Sequence, residues 1–183
     1  MALPGKIRII AGQWRGRKLD VMDAEGLRPT PDRIRETLFN WLQTLIPAAN
    51  CLDLYAGTGA LAFEALSREA MSVVMIENNP SLVKQLQNQA TTLKSDRHEI
   101  NQPDALAWLK NNDKTFDIIF LDPPFNKGLV EKSLQIIKDK QLLNANGRVY
   151  VEAERSSILP EGWQVIKEKH AGQVSAMLIK QNN

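Results

Sequence analysis

The tetrapeptide Asp122-Pro123-Pro124-Phe125 closes the apolar run Phe116-Asp117-Ile118-Ile119-Phe120-Leu121 and sets two hydrogen-bond acceptors and an aromatic face in a stiff array. These residue types suit methyl transfer to the exocyclic amine of a nucleobase. On guanine, adenine or cytosine the lone pair of that amine is delocalised into the ring, so a catalyst must draw the nitrogen toward tetrahedral geometry by accepting from its N–H groups. Asp122 offers a carboxylate oxygen and Pro123 a backbone carbonyl, held because each proline fixes its own φ and biases the preceding residue toward extended backbone. Phe125 can stack on a base turned out of its helix, an arrangement worth roughly 1–3 kcal/mol per base. Taken alone, the same four residues read equally well as a rigid exit from a strand.

The elements that must position them begin upstream. Cys51-Leu52-Asp53-Leu54-Tyr55 reads as a buried strand, followed by Ala56-Gly57-Thr58-Gly59-Ala60 and a helical run from Leu61 to Arg68. This is the glycine turn of a nucleotide-binding α/β unit: Gly57 and Gly59 permit a sharp turn and close ligand approach, and the helix N-terminus behind them offers free N–H groups. A second apolar strand, Ser72 to Ile76, ends in Glu77, at the spacing expected of a carboxylate that grips ribose hydroxyls. Asn78 follows it, and Asn79-Pro80 supplies an N-cap and first-turn proline for the next helix. The fingerprint serves NAD as readily as S-adenosylmethionine. The tetrapeptide separates the two, because a nicotinamide enzyme has no use for it at the end of the fourth strand of the sheet.

In an open doubly wound sheet, ligands sit beyond the carboxyl ends of the strands, near the point where strand order reverses. Asp53, Gly57, Glu77, Asp104 and Asp122 all fall at such ends and are expected to converge on one crevice, with Tyr55, Thr58, Asn78 and Ala105 completing the cofactor wall. Asp104 has two readings, as an acceptor for an adenine amino group and as the cap of the helical run Ala105 to Lys110.

With 183 residues, 43% of them apolar, and a net charge of +2, the chain is expected to form one domain spanning 1–183. It divides into a basic arm or hairpin (1–28), a first helix (30–46) and a Rossmann-like catalytic core (50–183). No apolar run is long enough to span a bilayer and the first ten residues lack a signal-peptide core, so the expectation is a cytoplasmic protein with no membrane partner; a monomer is expected as well. The single cysteine, Cys51, reads as a small core residue. Neither histidine stands at metal-ligand spacing from a Cys or His, so no metal is expected.

From Cys51 to Glu152 strands alternate with helices, the pattern of a mostly parallel sheet covered on both faces. Trp163 to Lys169 and Val174 to Lys180, separated around Gly172, read as an antiparallel C-terminal hairpin. Upstream of the sheet, Thr30-Pro31 starts a helix in which Ile34, Leu38, Trp41, Leu42 and Leu45 recur at helical spacing as core residues.

Lys6, Arg8, Arg15, Arg17 and Lys18 all precede the first acidic residue, Asp20, and Arg28, Arg33 and Arg35 carry the positive character into the first helix. Such a patch suits phosphate binding, each neutralised contact steepening the salt dependence by roughly 0.7–0.9 log units. Trp14 can stack on a nucleotide or pack across its own hairpin, the second being the commoner use.

Over almost its whole length the chain resembles the RsmD type of bacterial methyltransferase. The resemblance lies in Arg8-Ile9-Ile10-Ala11-Gly12-Gln13-Trp14-Arg15-Gly16-Arg17-Lys18-Leu19, in Leu27-Arg28-Pro29-Thr30 with Arg33, Arg35-Glu36 and Leu38-Phe39-Asn40, in the segments around the glycine turn and Glu64-Ala65-Leu66-Ser67-Arg68, and in Asp122-Pro123-Pro124-Phe125. The N-terminal block is the specific part. Thr58, Ala62 and Glu69 stand where family members commonly have Ser, Gly and Gly. The resemblance implies the class I S-adenosylmethionine-dependent methyltransferase fold, a seven-stranded sheet, S-adenosylmethionine as donor, and as acceptor the N2 amine of a guanine in 16S ribosomal RNA, at position 966, within the small subunit or an assembly intermediate.

Two other readings share the motifs. A DNA adenine or cytosine amino-methyltransferase would use the same crevice, but nothing between these motifs is long enough to hold a region for reading DNA sequence. A non-catalytic RNA-binding assembly factor would not need Asp122 and an intact glycine turn.

Overall fold

The computed structural model describes residues 5–21 and 32–182. Arg28 and the Thr30-Pro31 helix start lie outside them. Seven strands form one sheet: β3 (Asn50–Asp53), β4 (Ser72–Ile76), β5 (His98–Asn101), β6 (Phe116–Leu121), β7 (Leu143–Glu154), β8 (Trp163–Ala171) and β9 (Val174–Gln181). Their order is β5-β4-β3-β6-β7-β9-β8, parallel through β7. β9 enters antiparallel between β7 and β8, so the C-terminal hairpin closes the sheet with its second strand inside and its first at the edge. Strand order reverses between β3 and β6.

Each strand divides its side chains between two cores, as a two-residue period demands. Cys51, Val73, Met75, Ile118, Phe120, Tyr150 and Leu178 face one cluster, which also takes in the helices α1 (Asp32–Trp41), α2 (Ala60–Ser67) and α3 (Pro80–Leu93). Leu52, Val74, Ile119, Leu121, Val149, Val151 and Ile179 face the other, under α4 (Ala105–Asn111) and α5 (Leu129–Asp139). Runs buried on both faces have to be almost continuously apolar, and β6 is. Burial among apolar neighbours pushes the Cys51 thiol far up, as suits an inert core residue.

Local chemistry sets the helix starts. Asn79 caps α3, its Oδ1 accepting from the Ser81 and Leu82 backbone N–H groups at 2.9 and 3.4 Å, with Pro80 in the first turn. The first helix is shorter than its apolar spacing suggests. It ends at Trp41 rather than at 46, and the chain passes through turns in which Leu45 and Ile46 both donate to the Leu42 carbonyl. Pro47 biases Ile46 away from helical backbone, and Ala48 takes a left-handed φ of 62°. Ile34, Leu38 and Leu42 are buried, whereas Trp41 and Leu45 only lean against the core.

The N-terminal arm is a hairpin of β1 (Lys6–Arg8) and β2 (Lys18–Asp20). Its tip is bound to α2. Ser67 Oγ donates to the Ala11 carbonyl at 2.6 Å and accepts from the Trp14 N–H at 3.0 Å, while the Ser67 carbonyl accepts from Gln13 at 2.9 Å. Gly12, with φ of 82°, makes this approach possible, since a Cβ there would stand 1.8 Å from the Ser67 carbonyl oxygen. One turn earlier the fully buried Glu64 carboxylate accepts from the Ile10 and Ala11 N–H groups at 2.7 and 3.1 Å, with Arg68 at 2.7 Å and Arg35 at 3.9 Å as counter-charges. Trp14 is buried in the core, which makes packing its use.

Candidate active site

The carboxyl ends of the strands open into a crevice of about 1660 Å³. Cofactor and substrate sites commonly measure about 300–1000 Å³, so this one has room for a nucleoside donor and a base together. Asp53, Tyr55, Gly57, Thr58, Glu77, Asn78, Asp104, Ala105 and the whole of Asp122-Pro123-Pro124-Phe125 line it. Gly59 does not. Its φ is 75°, and a Cβ there would press on Leu86 and Phe63 at 2.6 Å, so that glycine serves helix packing rather than ligand approach.

On the donor side, Glu77 Oε2 accepts from the Gly57 N–H and Oε1 from the Asn79 N–H, both at 2.9 Å. A carboxylate has about four acceptor positions, so Glu77 keeps acceptor capacity for two vicinal hydroxyls. Asp104 caps α4, Oδ1 accepting from the Ala107 N–H at 2.9 Å, and remains exposed at the crevice. Asp53 is 2% exposed; burial pushes its pKa up to about 7, Glu77 adds to the rise, and the Ala62 backbone N–H opposes it. The Tyr55 hydroxyl lies 3.1 Å from Ser133 Oγ, and burial raises its pKa.

On the acceptor side, Pro123 is buried, Asp122 and Phe125 are half-buried and Pro124 is exposed, and all four line the crevice. The loop beyond is tightly wound, with Asn126 and Gly128 at φ of 60° and 61°. Glu154 clamps it by accepting from the Asn126 N–H and, at 2.9 Å, from Ser157 Oγ; the Asn126 contact above all holds the Glu154 carboxyl below its usual range.

Sequence reasoning missed a second acidic wall. Glu152 and Glu154 at the end of β7 line the same crevice, with Lys127 and Arg155 beside them. The signal was available, since Glu152 follows the apolar run Val149-Tyr150-Val151 as Asp122 follows its own. Of the cationic candidates, Arg8, Arg15, Arg17, Lys18 and Arg33 are exposed. Arg35 is not: its side chain is 0% exposed and bonds Asp32 at 2.6 Å and the Arg8 carbonyl at 2.9 Å. It neutralises the charge of Glu64 inside the fold, so it is withdrawn from the surface patch. Arg28 lies outside the described residues.

Residues 7–180 match the family described as conserved hypothetical protein 95. The chain is 46% identical over 180 residues to ribosomal RNA small subunit methyltransferase D of Haemophilus influenzae, covering 95% of this chain and 93% of that protein. It is 45% identical over 177 residues to the enzyme of the same name from Escherichia coli K12, with 95% and 89% covered. A solved structure of a candidate methyltransferase from Escherichia coli superposes with a TM-score of 0.90 at 44% identity, covering 97% of this chain and 99% of that one. With agreement over nearly all of both chains in sequence and in fold, this chain belongs to the conserved hypothetical protein 95 family, that of the ribosomal RNA small subunit methyltransferase D enzymes.

Proposed function

We propose that this protein transfers a methyl group from S-adenosylmethionine to the N2 amine of a guanine in the small-subunit ribosomal RNA. The observation that carries the reading is that a nucleoside-binding half, built on Gly57 and Glu77, and an amine-binding half, Asp122-Pro123-Pro124-Phe125, line one crevice. The residues fit the donor. Glu77 keeps acceptor capacity for ribose hydroxyls, Asp104 presents a carboxylate for an adenine amine, and Asp53 meets the cationic end.

S-adenosylmethionine supplies an electrophilic methyl group on a sulfonium. The chain's own residues do the rest by positioning and electrostatics. Phe125 stacks on the flipped base, and Asp122 and the Pro123 carbonyl accept from the two N2 hydrogens, turning the lone pair toward the methyl carbon. As the new N–C bond forms, the methyl carbon–sulfur bond breaks and the sulfonium leaves as a neutral thioether, while the nitrogen loses a proton to Asp122 or to water; no covalent enzyme intermediate is needed. The exposed cations Arg8, Arg15, Arg17, Lys18 and Arg33, with Lys127 and Arg155 in the crevice, supply phosphate contacts. The protein acts as a cytoplasmic monomer, without a metal, on the small subunit or an assembly intermediate.

Incubating the protein with labelled S-adenosylmethionine and small-subunit particles lacking the modification, then mapping the labelled nucleotide, tests this. Asp122→Ala is expected to lose transfer while calorimetry still registers cofactor binding. Near-normal turnover by that variant overturns the assignment of Asp122.

A further inference from the structure

We propose that Glu152 reads the edge of the target base, accepting from guanine N1–H while Asp122 accepts from the neighbouring N2–H. This rests on the methyl-transfer reading above and adds the residue that selects the base.

β6 and β7 run parallel with Phe120 opposite Tyr150 and Leu121 opposite Val151. Carrying that register one residue further sets Asp122 beside Glu152. Phe120 and Tyr150 face the same core cluster, so the two-residue period turns Asp122 and Glu152 to that same side, and both line the crevice. Glu152 is 5% exposed, and the fully buried Tyr150 donates its hydroxyl to Glu152 Oε1 at 2.7 Å. The phenol is fixed in the core and so holds the carboxylate. Burial raises the Tyr150 pKa, and Glu152 and Asp122 both add to the rise, as two acids near one hydroxyl do.

Paired acids suit one base. Beside its exocyclic amine guanine carries a second donor, N1–H, whereas adenine and cytosine carry a bare ring nitrogen. Two adjacent acceptors therefore complement guanine, and the second faces a lone pair in the other two bases. Asp122 and Pro123 can hold any base amine; Glu152 makes the choice. A site built to accept a hydrogen bond rejects an analogue that lacks it, because an acceptor oxygen then faces a lone pair in place of an N–H.

The test uses small-subunit RNA carrying either guanine or 2-aminopurine at the target position, since 2-aminopurine keeps the amine but has no N1–H. Wild-type protein is expected to favour guanine about 100-fold in kcat/KM, and Glu152→Gln, whose amide can donate to the bare N1, to cut that preference about tenfold. Calorimetric cofactor binding checks that the variant is folded. Should it not fold, Tyr150→Phe, which releases the carboxylate without removing it, is expected to narrow the preference in the same direction. Equal wild-type rates on the two bases, or a preference unmoved by a folded Glu152→Gln, overturn the proposal while leaving methyl transfer standing. A wild-type protein that modifies neither base overturns the underlying reading as well.

Discussion

Glu77 accepts from the Gly57 backbone N–H at 2.9 Å, so the acid proposed to hold the donor's ribose also braces the turn that the donor must approach. Removing it takes away both functions at once. Glu77→Ala is expected to weaken S-adenosylmethionine binding by about 10- to 100-fold, the size of a lost charge-assisted hydrogen bond or two. Glu77→Gln, which can still accept from Gly57, is expected to lose less. Calorimetric titration of both variants checks the order, and equal losses would detach the brace from the binding role.

Asp53 ties stability to pH. Its pKa of about 7 in the fold stands above the ordinary 3.8, so the folded chain keeps a proton that the unfolded chain has already lost. Stability therefore declines as pH rises from about 4 to about 7 and levels off above, by an amount on the order of a few kcal/mol. Urea denaturation at pH 5 and pH 8 is expected to show this decline in the wild type and a flatter profile in Asp53→Asn. A cation bound nearby favours the ionised form, so donor binding near pH 7 is expected to release protons, seen as a buffer-dependent binding enthalpy absent from Asp53→Asn.

Glu64 holds the Ile10 and Ala11 N–H groups from inside the fold. Glu64→Ala leaves the Ile10 and Ala11 N–H groups without their acceptor and takes one of two carboxylates from the buried Arg35, and is expected to cost about 3–5 kcal/mol by denaturation. Amide exchange should quicken at Ile10 and Ala11 before it does in the central strands. Uniform quickening throughout would mean that the loop has no separate attachment.

Gly12→Ala probes the same junction sterically. A Cβ 1.8 Å from the Ser67 carbonyl oxygen, at a φ of 82°, forces the loop off α2. The expected result is weaker RNA binding with donor affinity little changed, measured by filter binding and calorimetry. Unaltered RNA affinity would show that the loop need not dock.

Replacing Arg15 and Arg17 together by Ala is expected to weaken RNA binding and to lower the slope of log affinity against log salt by roughly 0.7–0.9 per lost phosphate contact. Arg17 also donates to the Thr92 carbonyl at 3.3 Å, an exposed contact of small energetic weight. An unchanged slope would remove the arm from the RNA interface.

What was legible in the sequence was whatever local chemistry decides. Asn79-Pro80 caps its helix because both residues act within one turn, and Ser72–Ile76 and Phe116–Leu121 are strands with the bounds their apolar runs suggested. The run to Leu45 misled because residues in a turn beneath a core can keep helical spacing while the backbone has left the helix. Arg35 misled for a different reason. A basic residue in a basic stretch reads as surface, and the partners that accompany its burial, the Arg8 carbonyl and Glu64 on another helix beside Asp32 in its own first turn, are brought together only by the fold. Glu152 follows an apolar run as Asp122 does, but its place beside Asp122 depends on strand order, which is not written in any one strand.

α2 begins at the glycine turn, with Gly59 as its cap, and carries Glu64 and Ser67, the two residues that seat the basic loop. Eight helical residues measure about 12 Å. That short rod sets the spacing between the turn proposed to receive the donor and the basic loop proposed to meet RNA phosphates. On that reading, an RNA whose folded loop presents base and phosphates at another separation would satisfy one contact or the other, but not both.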